Sequence, residues 1–141
     1  MALEMIVLQD IRITRNGELN SLELNELFRT NNWQVEPHER LDNSIRSTWG
    51  WITARRYDDN QLIGFVQVIS DGIRHAYILK MIVHPNYRRH GIGSKIMTEL
   101  MELLKENELV PTLVATPGND NYYKKFGFEA ESNGFKAMCI R

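Results

Sequence analysis

Ile82-Val83-His84-Pro85-Asn86-Tyr87-Arg88-Arg89-His90-Gly91-Ile92-Gly93-Ser94-Lys95-Ile96 is the stretch that decides how this chain is read. An apolar, β-branched run stops at a proline, a short basic turn with glycines spaced Gly-x-Gly follows, and an apolar-periodic helix then begins. That order places a strand, a backbone-lined loop and a helix N-terminus in succession. Such a junction presents main-chain N–H groups that the helix cannot use itself, and the macrodipole adds partial positive charge beside them, which suits a pyrophosphate. Gly91 and Gly93 remove side chains that would hold a phosphate off the backbone. The amides of Ile92 and Ser94 continue the row, and Arg88, Arg89 and His90 supply further donors, the last two more through their backbone than their side chains. Lys95 in the first turn opposes the helix dipole unless an anion is present.

Three nucleotide motifs compete for this loop. The dinucleotide fingerprint Gly-x-Gly-x-x-Gly fails because Ile96 stands where the third glycine belongs, and no acid near Val110 offers a ribose partner. The P-loop fails because the order is Gly93-Ser94-Lys95, with no glycine five residues before Gly93. The third pattern, Arg/Gln-x-x-Gly-x-Gly/Ala, is met by Arg88-Arg89-His90-Gly91-Ile92-Gly93. With its strand-His-Pro-x-Tyr lead-in, Ile82 to Tyr87, the segment resembles the GCN5-related N-acetyltransferase (GNAT) superfamily. About 30 residues downstream, Asn121-Tyr122-Tyr123-Lys124-Lys125-Phe126-Gly127-Phe128-Glu129 resembles that family's Phe-Tyr-x-x-x-Gly-Phe segment. The resemblance runs from Leu62 to Glu129; the first 50 residues carry no matching motif.

Size and composition are compatible with this. The 141 residues suit one domain with one core, 1–141. A net charge of −1 argues against a general nucleic-acid binder. The single Cys139 cannot form an internal disulfide, so a reducing, cytoplasmic setting is expected. No apolar run approaches the ~20 residues of a membrane span, and the start has no basic region ahead of an apolar core, so neither membrane nor secretory signal is expected.

Hydrophobic patterning gives the elements. Residues 4–13 read as a strand and Asn16-Gly17 as a turn. Leu19, Leu22, Leu27 and Phe28 predict a helix over about 19–30, ended by Asn31-Asn32, and Pro37 starts a second through Ile45 with Leu41 and Ile45 inward. Residues 49–57 and 62–70 read as strands joined at Asp58-Asp59-Asn60, and Asp71-Gly72 leads into a strand at 75–84. Residues 91–106 form the clearest helix, with Ile92, Ile96, Leu100 and Leu103 on one face. Leu109 to Thr116 is a strand parallel to 75–84. Asn119 or Asn121 caps a helix through Lys125, and residues 128–140 form a closing hairpin at Asn133-Gly134. The resemblance implies an α/β (α+β) fold, GNAT-like, whose mixed, mostly antiparallel central sheet has about six to seven strands and about four flanking helices. The sheet is splayed between 75–84 and 111–116.

The resemblance also assigns roles. Acetyl-CoA is the acyl donor, with no metal; its pyrophosphate lies on residues 88–94 and its pantetheine bonds to the backbone near Ile82 and Val83. Asn119 matches a polar residue near the pantetheine, and Lys125 is within reach of a 3′-phosphate. Tyr123 is the candidate acid for the departing thiolate, since a phenol of pKa ~10 can serve a thiol of pKa ~8.5 at modest cost. Tyr122 is its competitor, because neighbouring helical residues point about 100° apart. Lys80 stands where related sequences often carry an acid, which leaves the general base open among His38, His75, His84 and water. Trp33, His38, Trp49 and Trp51 either wall the acceptor pocket or pack in the core; Trp49 and Trp51, alternating on one strand, are expected on the same side. The expected activity is acetylation of a small primary amine by direct attack in a ternary complex. A protein or peptide acetyltransferase and a non-catalytic acyl-CoA sensor are the alternatives. Homodimers are frequent among similar proteins.

Overall fold

A computed structural model describes residues 10–131 and 133–140. Five strands lie in the order β1 (Ile11–Arg15), β2 (Gly50–Arg56), β3 (Leu62–Ile69), β4 (His75–Val83) and β5 (Val110–Leu113). The first four form an antiparallel meander and β5 pairs parallel to β4. Four helices, α1 (Ser21–Thr30), α2 (His38–Ser47), α3 (Ile92–Glu106) and α4 (Asp120–Lys124), complete the order. The crossover through α3 makes β4 and β5 parallel, as the sequence predicts. None of these described helices is long and apolar enough to cross a membrane.

The sheet is covered on both faces, which is why β3 is buried from Leu62 to Val68 rather than alternating. On one face α3 lays down Ile92, Ile96, Met97, Leu100, Leu103 and Leu104 against Ile52, Ala54, Val66 and Ile78. Each such side chain contributes about 1.5–3 kcal/mol of burial. On the other, Leu24, Leu27, Phe28 and Leu41 of α1 and α2 pack on Leu62, Phe65 and Ile82. Helix α1 starts with a capping box, Asn20 accepting from the Glu23 N–H and Glu23 from the Asn20 N–H. The box sets the phase of α1, so Leu24 is buried and Leu22 is 64% exposed, although the leucine spacing in the sequence places Leu22 inward.

Glu23 also ties α1 to the sheet. Arg55, its side chain 5% exposed, donates to both Glu23 oxygens at 2.7 Å and to the carbonyls of Asn60 at 2.9 Å and Glu18 at 2.6 Å. Removing one partner of such a pair strands the other and two carbonyls. Arg55→Met is therefore expected to destabilise the fold by about 2–4 kcal/mol, read as a lower urea midpoint at unchanged m-value; an unchanged midpoint would refute the anchoring role.

Two expectations are corrected. The described sheet has five strands rather than six or seven: residues 128–131 and 133–140 contain no strand, although Gly134 does adopt a turn-like φ of 79°. The turn is real, but between Glu129 and Cys139 its flanks carry Glu, Ala and Lys and no β-branched residue to hold a ladder. Trp49 and Trp51 do not share a side: Trp49 packs with the α3 core and Trp51 with the α1–α2 core. Trp49 precedes β2, where strand alternation does not yet apply. Of the strand expected at 4–13, residues 4–9 lie outside those described, and β1 runs two residues further, to Arg15.

The feature that shapes the site is a β-bulge. The β3–β4 register passes from Phe65↔Ile82 to Gln67↔Leu79, so Lys80 and Met81 together oppose Val66. Lys80 holds a left-handed φ of 58° there. Strand β5 follows β4 only from His75↔Val110 to Ile78↔Leu113. Beyond Leu79 the two strands part, which is the splay anticipated between 75–84 and 111–116.

Candidate active site

The parting of β4 and β5 opens a cleft of about 710 Å³. One end is the basic, glycine-containing loop between β4 and α3. Pro85–Tyr87 make a single 3-10 turn capped by His84, whose Nδ1 accepts the Asn86 N–H at 3.1 Å. Arg89 and Gly91 then take left-handed φ values of 68° and 80°. A non-glycine residue so placed persists only where its surroundings hold it, a pattern that clusters at ligand clamps. Gly91 is the N-cap of α3, and Lys95 donates the first helical bond, to the Gly91 carbonyl at 3.0 Å. The amides of Ile92, Gly93 and Ser94 precede it and have no partner within the helix.

Gly93 has a second reason to be glycine. A Cβ built there would lie 2.9 Å from the Tyr122 hydroxyl and 3.3 Å from the terminal methyl of Met81. The helix start and the Tyr122 ring thus meet at a contact only a hydrogen fits. The Tyr122 hydroxyl therefore lies against the loop, and Ser94 tempers the rise in its pKa. Tyr123 sets its ring edge-on to Tyr122 at 5.1 Å and to Phe128 at 6.2 Å. Its hydroxyl has no side-chain partner among the described residues. Burial, and then the neighbouring Tyr122, push the Tyr123 phenol above its ordinary value, and burial raises Tyr122 as well. Both phenols therefore keep their protons throughout the neutral range.

The wall between these ends is the free edge of β4. The His84 N–H donates to the Ile63 carbonyl at 2.8 Å, and Phe65 lies opposite Ile82. By strand alternation the Ile82 amide faces β3, while Val83 directs its N–H and C=O toward the cleft. The Val83 carbonyl already receives Asn31 Nδ2 at 3.3 Å. Asn31 also accepts a hydrogen bond from the Arg88 guanidinium. Asn119 lines the cleft and donates to Thr116 Oγ1 at 2.6 Å.

The cleft gathers Ile82, Val83, Arg88, Arg89, Gly91, Ile92, Gly93, Ser94, Asn119, Tyr122 and Tyr123. His90 and Lys125 stand outside its lining; the Lys125 ammonium lies 5.3 Å from the Tyr122 ring centroid. Of the aromatic candidates Trp33 lines the cleft, and Trp49 and Trp51 do not. His38 and His75 are exposed away from it, and burial, then Arg88, lower the His84 pKa. Among the described residues no carboxylate or imidazole lines the cleft, and no group of three His, Cys, Asp or Glu could hold a metal. Asn31 and Met81 are among the lining residues that the sequence does not single out. Asn31 reads as a helix stop, and only the fold brings it to Val83.

The donor set fits a coenzyme A thioester. Free amides and two arginines stand at one end, a strand edge with an unused N–H runs beside them, and a phenol lies across the cleft. From Val83 back to Lys80 the wall measures about 10 Å at the strand rise.

The model of the acetyltransferase (GNAT) family matches residues 19–128. The chain is similar to the uncharacterised N-acetyltransferase ycf52 of Pyropia yezoensis, 28% identical over 138 residues, covering 96% of this chain and 79% of the relative. It is also similar to the chloroplastic GCN5-related N-acetyltransferase 2 of Arabidopsis thaliana, 23% identical, covering 96% and 60% respectively. Among solved structures, a GNAT family acetyltransferase from Streptococcus pneumoniae superposes with a TM-score of 0.76 at 24% identity, covering 93% of this chain and 98% of that one. Glucosamine-6-phosphate N-acetyltransferase from Arabidopsis thaliana does so with a TM-score of 0.69 at 14% identity, covering 91% and 97%. At these identities the structural likenesses speak to the fold.

Proposed function

This chain belongs to the acetyltransferase (GNAT) family, and from that premise we propose that it moves the acetyl group of acetyl-CoA to a primary amine of a small molecule by direct attack in a ternary complex. The observation that carries this reading is the meeting of a helix start with unused amides and a shielded phenol across one splayed strand pair. Acetyl-CoA supplies the activated acetyl thioester.

The chain's own groups do the rest. The amides of Gly91 to Ser94, with Arg88 and Arg89, hold the diphosphate. The Val83 N–H binds along the pantetheine edge and orients the acyl carbonyl, and such positioning supplies up to about 7–11 kcal/mol of the barrier. Tyr123 donates its proton to the departing sulfur; Tyr122 is disfavoured for that step because its hydroxyl lies against Gly93 at the start of α3. With no described carboxylate or imidazole in the cleft lining, the amine loses its proton to water. Absence of acids from the lining also favours a small acceptor over a basic protein tail.

Steady-state thiol release with a panel of amines tests the proposal. Amine-dependent release supports it, whereas saturable acetyl-CoA binding without turnover of any amine supports a sensor instead. The raised phenol pKa sets the pH dependence. A donor must be protonated, so the descending limb of kcat is expected only above about pH 10. A decline tracking an acid of pKa well below that value would assign the step to another group.

A further inference from the structure

The cleft lining contains three cations, Lys80, Arg88 and Arg89, and no acid. The two arginines belong to the diphosphate loop. Lys80 does not, and the bulge is the reason. In a regular strand Lys80 would share the face of Ile78, which packs with the α3 core. Doubling the position opposite Val66 re-aims Lys80 and the residues after it. Met81 and Val83 now approach Gly93 on the α3 side, while Ile82 joins the α1–α2 core and the Lys80 ammonium sits 5.2 Å from the Phe28 ring centroid on that same side. Phe28 in turn lies 5.8 Å from the Trp33 ring. Lys80 and Trp33 line the cleft with buried Phe28 behind them, across the sheet from the diphosphate cradle.

Elsewhere the half-buried cations are matched: Arg15 with Glu99, Arg55 with Glu23, Arg56 with Asp58. Lys80 has no carboxylate partner among the described residues, and its left-handed backbone, uncommon for a side chain of this kind, fixes it where the cleft opens. A cation held there repels an ordinary protonated amine and attracts an oxyanion.

We propose that the acceptor carries a carboxylate or phosphate beside its amine, bound by Lys80, with its apolar part against Trp33. The proposal rests on the acetyltransferase reading above and names the substrate class for it. The same charge favours the uncharged form of a neighbouring amine, the form that attacks the thioester.

Matched acceptors test it: phenylalanine against phenethylamine, 4-aminobutyrate against butylamine, and phosphoethanolamine against ethanolamine. In the wild type the anionic member of at least one pair is expected to show kcat/KM higher by about tenfold or more, the scale of a charged hydrogen bond; a carboxylate pair or the phosphate pair leading identifies which oxyanion. Lys80→Met, whose unbranched stem keeps the Phe28 contact, is expected to erase the preference by lowering kcat/KM on the oxyanion-bearing members, while affinity for CoA stays within about twofold. Lys80→Arg is expected to restore it. A preference for the member without the oxyanion in every pair, or equal losses on both members in Lys80→Met, overturns the proposal. If no amine is acetylated, the enzymatic reading fails and Lys80 is judged by calorimetry of the same anionic amines into CoA-saturated protein. Binding that Lys80→Met abolishes sustains its role, and no binding to the wild type removes it.

Discussion

Tyr123→Phe is expected to lower kcat by roughly 10- to 1,000-fold, the range of a lost general acid, while affinity for CoA stays within about threefold. The two effects separate because the ring and the hydroxyl do different work. The ring packs edge-on against Tyr122 and Phe128, and phenylalanine keeps that packing. The hydroxyl has no side-chain partner among the described residues, so its loss strands nothing and leaves the fold intact. What disappears is a proton held ready by a site that burial keeps in its neutral form. Tyr122→Phe is the control: its hydroxyl lies against Gly93 in the loop, so its loss falls on CoA affinity rather than on kcat. If kcat is unchanged in Tyr123→Phe, the acid role is withdrawn, and a kcat loss confined to Tyr122→Phe would transfer it.

Gly93→Val is expected to weaken CoA binding by about 100-fold or more, the scale of losing two to three charge-assisted hydrogen bonds at once. The first Cβ atom already comes within 2.9 Å of the Tyr122 hydroxyl, and valine adds two methyl groups beside Met81 and Val83. Either α3 backs away or Tyr122 leaves its place against the helix start, and in both cases the amide row at residues 91–94 no longer faces one point. Gly93→Ala, which adds only the one clashing atom, is expected to lie between. Wild-type affinity in the valine variant would mean that ligands do not use this loop.

Much of the fold is legible in the sequence because local signals agree with one another. Six buried side chains between Ile92 and Leu104 recur at helical spacing, so α3 and its inner face read directly. The apolar run from Leu62 reads as a buried strand, and Pro111 in β5 is tolerated because β5 is the edge strand. The glycines at 91 and 93 mark the loop because a left-handed turn and a close approach leave few other choices.

The features that escape a sequence reading depend on tertiary contacts. Leu22 and Leu24 fit a helix equally well, and the capping box at Asn20 together with the sheet decides which is buried. Trp49 and Trp51 look like a strand pair until the strand is seen to begin between them. The bulge at Lys80 has no signature in a run of apolar residues, since nothing in Ile78-Leu79-Lys80-Met81 announces an extra residue opposite Val66. Asn31 reads only as a helix end. The Asn133-Gly134 turn is a strong local signal, and residues with poor strand propensity on either side leave it without a ladder.

The central claim is that main-chain amides at the start of α3 bind a diphosphate and thereby place an activated acyl group beside Tyr123. Calorimetric titration with CoA, at two temperatures so that an enthalpy near zero is not taken for absence of binding, tests it most directly. Saturable single-site binding is expected, which 3′-dephospho-CoA largely retains and pantetheine, lacking the diphosphate, loses. No binding of CoA, or pantetheine binding as tightly as CoA, would contradict it.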